Sequence, residues 1–333
     1  MSNTPIIGLS PMDGITDFAM RHITHIYGHP DVMTTEFINV EGWHYAPGKI
    51  EDELRFTPDQ QPIWAQIYGL TPDYFYQATR RVADLGFTGV EINFGCPAKN
   101  VVHSGSGAGM IKTPQLAAAI VANVQAASRD SGRHLPVSVK TRLGYDSNIA
   151  FDWLRFLLGL DLDRLVIHGR TLTQGYTGQA DWSTIAQAAI WRDELAPATA
   201  IFGNGDIKSR AQALDYCQRY HLDGVLIGRA AIGNPWVFTD QTPSVALRCQ
   251  AAIDHATFYQ SLANQQERFS FAPMRKHLAA YVSGFSQAKT LRQSLVQTNS
   301  SQEVVAILHH FLKNAGDKSG QASISPHLPT NEP

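Results

Sequence analysis

Cys96 stands directly before Pro97, at the end of the run Gly89-Val90-Glu91-Ile92-Asn93-Phe94-Gly95. Proline cannot extend a sheet ladder, and it biases the residue before it away from helix. The cysteine is therefore held on a turn where a short apolar strand ends, which is where parallel α/β folds place their chemistry. Its thiol could act as a nucleophile or a proton donor. It could equally be a small packing group, because free cysteine is among the most buried residue types. The run alone leaves both readings open.

The same position along other apolar runs also carries polar groups. In chain order these are Pro11-Met12-Asp13, Glu36, Gln66, Asn93 with Cys96, Lys140 with Arg142, His168 with Arg170, Asn204-Gly205-Asp206, and Gly228-Arg229. Each one has an ordinary explanation, His168 as a satisfied core histidine and Lys140 as a rim ion. Their recurrence in register points to one site. Lys140, with the amides of Gln66 and Asn93, suits a planar heterocycle carrying several donors and acceptors, and a cation there could stabilise the negative charge of a reduced flavin. Gly205 and Gly228 let backbone N–H groups approach an anion, with Arg229 adding charge, as suits a single phosphate.

The runs that must position these groups are Pro5–Ser10, Asp31–Phe37, Pro62–Tyr68, Gly89–Phe94, Pro136–Arg142, Arg164–His168, Thr199–Phe202 and Asp223–Ile227. They are rich in Val, Ile and Thr and mostly apolar, as strands buried on both faces should be. Helical patterns lie between most of them, most clearly over Pro72–Leu85, Pro114–Arg129, Asn148–Leu160, Trp182–Trp191 and Lys208–Tyr220. Eight strands alternating with helices predict a TIM (β/α)8 barrel over residues 1–240, with its site at the carboxyl ends of the strands. No GxGxxG follows the first run, which counts against a doubly wound sheet. After the link Thr239–Ser244, the patterns Ala246–Gln265, Pro273–Phe285, Ala288–Gln297 and Ser301–Lys313 predict a helical bundle over 245–315. The Gly-, Ser- and Pro-containing residues 316–333 read as a disordered tail.

The composition narrows the class. The chain has 333 residues, 44% hydrophobic and 17% charged, with no apolar run long enough to span a membrane. The three scattered cysteines, Cys96, Cys217 and Cys249, suggest neither a disulfide framework nor a metal site, and a reducing cytoplasm is the expected home. A net charge of −2 hides an asymmetry: residues 243–333 hold eight Lys/Arg against five Asp/Glu, and none of the acids falls between Arg268 and Gln302. Such a stretch is either a solvated helix face or a surface that neutralises phosphates. Ser104-Gly105-Ser106-Gly107-Ala108-Gly109-Met110-Ile111-Lys112-Thr113 fails the Walker pattern, since Ile111 precedes the lysine, and reads as a mobile loop beside Cys96.

Taken together, the chain resembles the tRNA-dihydrouridine synthases over roughly residues 5–315. The matching segments are Ser10-Pro11-Met12-Asp13-Gly14-Ile15-Thr16-Asp17, Asn93-Phe94-Gly95-Cys96-Pro97, Val139-Lys140-Thr141-Arg142, His168-Gly169-Arg170-Thr171, Gly203-Asn204-Gly205-Asp206-Ile207 and Ile227-Gly228-Arg229. The resemblance implies an FMN-binding barrel, a carboxyl-terminal helical tRNA-binding domain, and reduction of the C5–C6 double bond of a D-loop uridine in tRNA. NADPH is the implied reductant, with NADH the alternative, and neither metal nor membrane is involved; a monomer is expected. Carried onto this sequence, the FMN contacts fall on Pro11, Met12, Asp13, Gln66, Lys140, His168, Asn204, Gly205, Asp206, Gly228 and Arg229. Cys96 becomes the catalytic cysteine, a proton donor to C5 as hydride reaches C6. Glu36, Asn93, Arg142, Arg170 and Tyr176 would face the uridine or RNA, and Arg275, Lys276, Lys289 and Arg292 the tRNA phosphates. Thr35-Glu36-Phe37 and Gln174-Gly175-Tyr176 look most like the bacterial subfamily acting at position sixteen, whereas Arg275-Lys276-His277 looks more like a sister subfamily. The rival readings are a small-molecule FMN reductase of the dihydropyrimidine or dihydroorotate type and a non-catalytic RNA- or phosphate-binding barrel.

Overall fold

The computed structural model describes residues 4–263 and 269–316. The predicted tail beyond residue 316 and Arg268 of the basic stretch lie outside the described residues. The chain divides into two compact units at Thr242/Pro243.

In the first unit, eight strands close into a parallel barrel in sequential order: β1 Ile6–Leu9, β2 Val32–Asn39, β3 Ile63–Tyr68, β4 Gly89–Phe94, β5 Val137–Arg142, β6 Arg164–His168, β7 Ala200–Asn204 and β8 Gly224–Ile227. Closure comes from β1 pairing with β8 as well as with β2. The barrel class predicted from sequence is the observed one. Each run lies within a few residues of its strand, because strands buried on both faces are mostly apolar and β-branched.

The helices are α1 Phe18–Gly28, α2 Val40–Tyr45, α3 Pro47–Glu51, α4 Pro72–Asp84, α5 Lys99–His103, α6 Pro114–Asp130, α7 Ala150–Leu158, α8 Trp182–Leu195 and α9 Arg210–Tyr220. Proline occupies the first turn of α4 and α6, where its missing N–H costs nothing. The first three were not set out from sequence. α1 begins where Asp17 accepts from the Met20 N–H at 2.8 Å, and it buries Ala19, Met20 and Ile23 together with the charged Arg21, which breaks its apolar stripe.

One expectation is corrected. The glycine-rich segment is not a free loop: residues Gly107–Lys112 form a 3-10 turn with Ala108, Met110 and Ile111 buried in the barrel wall. Its small residues allow it to pack beside the Cys96 turn, and the Ala108 N–H donates to the Cys96 carbonyl at 3.1 Å.

In the second unit, α10 Val245–Ser261, α11 Met274–Tyr281, α12 Ala288–Leu295 and α13 Ser301–Gly316 pack as a small helical group. Its interior includes Cys249, Ala252, Met274, Leu278, Leu295, Val304 and Leu308.

Trp64 and Phe202 pack with Val32, Val166 and Leu226 as one buried cluster of the barrel strands. Gly89 sits in register with Trp64, and a Cβ on Gly89 would lie 2.7 Å from the indole ring. Gly89→Ala is therefore expected to destabilise the protein by about 1–3 kcal/mol in urea unfolding. An unchanged midpoint would show that Trp64 yields without cost.

Candidate functional site

The carboxyl ends of the strands open into a cavity of about 870 Å³, within the size range of small-molecule and cofactor sites. Of the residues singled out from sequence, Pro11, Met12, Asp13, Gln66, Asn93, Cys96, Lys140, Arg142, His168, Tyr176, Asn204, Gly205, Asp206, Gly228 and Arg229 line it. Lys208, just beyond β7, also lines it and was not singled out. Its position two residues after the Asn204-Gly205-Asp206 turn was the available signal.

The Cys96 turn is built by Asn93. The Asn93 Oδ1 accepts from the N–H groups of Gly95 (3.0 Å) and Cys96 (2.8 Å), so the chain reverses immediately after β4. The thiol is 9% exposed and accepts from the Ala98 N–H at 3.5 Å. Burial pushes it above the ordinary cysteine value, only partly offset by that N–H, Arg142 and Lys140. Cys96 is thus a neutral thiol at physiological pH.

Beside it, on β5 and β6, stand cationic and imidazole side chains. Lys140 donates to Asn204 Oδ1 at 3.2 Å; burial brings its ammonium down to about 8, and Glu91 opposes that shift. With a pKa still above 7, it remains mostly charged at neutral pH. His168 is held well below the usual histidine value, by burial first and then by Arg142, Lys140, Arg170 and Arg229. Its imidazole is neutral, and its buried Nδ1 has no hydrogen-bond partner within the protein.

Asp206 organises the far side. It accepts from Arg170 at 2.6 Å, Arg229 at 2.9 Å and the Ala180 N–H at 2.9 Å. These partners hold its carboxyl below the usual range against the opposing effect of burial. Gly205 adopts φ 129°, and a Cβ there would lie 2.7 Å from Ala180, so only glycine fits this turn. Exposed Tyr176 lies under the Arg229 guanidinium, 4.7 Å from ring centroid to Cζ.

Several assignments change. Arg170 is absent from the cavity lining: it is 1% exposed, its Nε and Nη2 donate to Asp206 and the carbonyls of Thr177 and Gly178, and its buried Nη1 has no partner within the protein. Glu36 is absent from the cavity lining. It lies where the β2–β3 register shifts, accepts from the Gly14 N–H, and is pushed up to about 7 by burial and Asp17 against the pull of Arg21. It braces the β1 loop. Arg142 lines the cavity, but its Nε and Nη1 tie down the carbonyls of Gly95 and Thr171.

In the helical unit, Arg275 donates to the Thr298 carbonyl and Asn299, and Arg292 to the Val282 carbonyl. Both are half-buried and staple neighbouring backbone. Lys276 and Lys289 are exposed. His277 is buried and brought down to about 3 by burial and Lys276, so the Arg-Lys-His segment contributes one surface cation and one core histidine.

The donor set suits a phosphorylated flavin. The unpartnered His168 Nδ1 and the Lys140 ammonium can meet ring heteroatoms, and the glycine turn with Arg229 can meet a phosphate. Among the described residues no cluster could hold a metal ion, and no helix is long and apolar enough to cross a membrane.

Comparison with known proteins converges on one family. The dihydrouridine synthase family model matches residues 8–316. A probable tRNA-dihydrouridine synthase of Staphylococcus aureus (strain MRSA252) is 36% identical over 313 residues, covering 92% of this chain and 93% of its own length. The probable tRNA-dihydrouridine synthase 2 of Bacillus subtilis (strain 168) is 36% identical over 314 residues, covering 92% of this chain and 94% of its own. Among solved structures, histamine dehydrogenase from Rhizobium sp. 4-9 shares the barrel fold with a TM-score of 0.54 at 13% identity, over 75% of this chain and 48% of that one.

The raised thiol gives a direct check. Alkylation of Cys96 by iodoacetamide is expected to keep rising with pH past about 9, since the thiolate is the reactive form and burial disfavours it. A plateau near neutral pH would contradict the placement of this thiol.

Proposed function

The chain belongs to the dihydrouridine synthase family, and on that premise we propose that it reduces the C5–C6 double bond of a D-loop uridine in tRNA, using bound FMN and NADPH as the electron source. The observation that carries this reading is a buried thiol lining a cavity that also holds Lys140 and Arg142 and whose Gly205, Gly228 and Arg229 suit a phosphate. The FMN phosphate is assigned to Asn204, Gly205, Gly228 and Arg229, and its ring to Gln66, Lys140 and His168, with Pro11, Met12, Asp13 and Asp206 completing the enclosure. When bound, the cofactor supplies the hydride that adds to uracil C6.

The chain's own residues do the rest. Addition at C6 develops negative charge at C5 and O4, and Cys96 passes its Sγ proton to C5. Hydride and proton together saturate the bond, and the thiolate recovers its proton from water. A general acid should hold its proton at working pH, and a raised thiol pKa meets that requirement. Asn93 fixes the turn that carries Sγ. Exposed Tyr176, under the Arg229 guanidinium, offers a face on which an extruded base can stack. A loop uridine is already unpaired, so its extrusion costs less than that of a paired base. The segments Thr35-Glu36-Phe37 and Gln174-Gly175-Tyr176 support position sixteen as the target.

Phosphate contacts are assigned to the exposed Lys276 and Lys289, with Arg275 and Arg292 adding charge from half-buried positions. Such contacts position RNA without reading its sequence. The free thiols of all three cysteines accord with a reducing, cytoplasmic setting.

Purified chain with FMN and NADPH is expected to add one H2 to a single uridine of unmodified tRNA, read by nucleoside mass spectrometry. Cys96→Ala is expected to keep its flavin absorbance and lose turnover by about 10²- to 10⁴-fold. Efficient reduction of free uridine or uracil would favour the small-molecule reductase, and a colourless protein without redox activity would leave only a binding barrel. Lys276→Ala/Lys289→Ala should weaken tRNA binding and reduce the log–log salt slope by about 1–2. An unchanged slope would remove this face from the RNA interface.

A further inference from the structure

Beneath the cavity, four polar side chains stand side by side across four strands. The register pairs Gln66 of β3 with Glu91 of β4, Glu91 with Ser138 of β5, and Ser138 with Arg164 of β6. All four are buried. Arg164 reaches Glu91 Oε2 at 3.0 Å and packs over the rings of Trp64 (3.7 Å) and Phe202 (5.1 Å). Ser138 accepts from Arg164 Nε at 3.1 Å and donates to Glu91 Oε2 at 3.2 Å. The other carboxylate oxygen, Oε1, accepts from Gln66 Nε2 at 2.7 Å. The Gln66 Oε1 then accepts from Asn93 Nδ2 at 2.9 Å, and the Asn93 Oδ1 accepts from the Gly95 and Cys96 N–H groups.

This line has a direction. A side-chain amide is nearly symmetric in shape but has a donor at one end and an acceptor at the other. A carboxylate only accepts, so Glu91 obliges Gln66 to present its NH2 downward and its oxygen to Asn93. Asn93 must then present its own NH2 to Gln66 and its oxygen to the Cys96 turn. Arg164, which only donates, holds the Glu91 carboxylate in place at 3.0 Å. At the upper end the Gly95 and Cys96 N–H groups can only donate, so they demand the same polarity that Glu91 imposes from below, and every donor is paired only while the two ends agree.

We propose that the buried Glu91–Arg164 pair is a positioning device for Cys96, supporting through Gln66 and Asn93 the amide orientation that the two N–H groups of the turn require. Its importance for turnover rests on the role given to Cys96 above, but the orientation itself does not. In Glu91→Gln the new amide can satisfy Arg164 with its oxygen, but its NH2 then faces the Gln66 NH2. One donor–donor contact is then unavoidable, either beside the new amide or, if Gln66 and Asn93 invert, at the turn, and in both cases the line that holds the Cys96 N–H is weakened. In Glu91→Gln/Gln66→Glu the carboxylate is moved one place along and every donor again meets an acceptor.

The chain has three cysteines, so 15N-cysteine labelling of the full-length protein gives three amide resonances, with Cys217 and Cys249 as internal controls. In Glu91→Gln, exchange of the Cys96 amide is expected to accelerate about tenfold or more while the two controls hold. The double variant is expected to restore it. Wild-type exchange at Cys96 in Glu91→Gln would overturn the proposal, as would a double variant whose Cys96 amide stays fast. If Glu91→Gln fails to fold, all three amides lose protection and the double variant decides. Wild-type exchange there supports the proposal, and fast exchange at Cys96 or failure to fold overturns it. Turnover of Glu91→Gln should fall about 10²-fold with tRNA affinity unchanged. Wild-type protein inactive on tRNA would refute the proposed function and leave the amide result intact.

Discussion

Two hydrogen bonds, from the N–H groups of Gly95 and Cys96 to one oxygen of Asn93, organise this molecule's candidate site. They end β4 abruptly, turn the chain toward Pro97, and leave the thiol at the cavity wall. The same turn receives Arg142 on the Gly95 carbonyl at 2.7 Å and Ala108 on the Cys96 carbonyl. A segment without regular structure is thereby tied from strand, neighbouring strand and following loop. The barrel supplies the rigid frame, and the turn makes one residue's chemistry reproducible within it.

Electrostatics around that turn are unequal in a useful way. Lys140, Arg142, Arg170 and Arg229 surround the cavity, with Asp206 neutralising part of this charge at the rim and Glu91 opposing it from below. The excess cation suits an anionic cofactor and the charge that develops on a reduced uracil. Burial first, and then the same cations, keep His168 neutral, leaving its imidazole as a hydrogen-bonding group. They also pull the thiol toward ionisation, but burial outweighs them and the proton stays.

Much of this could be read from residue types. The strands announced themselves because burial on both faces favours apolar and β-branched residues along most of their length, and the polar residues that end them mark the cavity. Most of those residues do line it. The exceptions have a common physical origin. Arg170 and Glu36 carry charge at strand ends, as Lys140 does, but sequence does not reveal that a register shift turns Glu36 toward Gly14 or that Asp206 captures Arg170. Arg275 and Arg292 looked like phosphate ligands and instead spend donors on their own backbone. The glycine-rich segment looked mobile, yet small residues serve close packing as readily as hinge motion. The buried line from Arg164 to Asn93 left no trace in spacing, since it crosses four strands and exists only through their register.

The central claim, that Cys96 gives its proton to the uridine and takes no part in charging the cofactor, is tested most directly by separating the two half-reactions in a stopped-flow experiment. Reduction of the bound flavin by NADPH and its reoxidation by tRNA are followed by absorbance in the wild-type protein and in Cys96→Ala. The account predicts an unchanged first phase and a second phase slowed by about 10²-fold or more. Equal rates of tRNA-dependent reoxidation in the two proteins would contradict it.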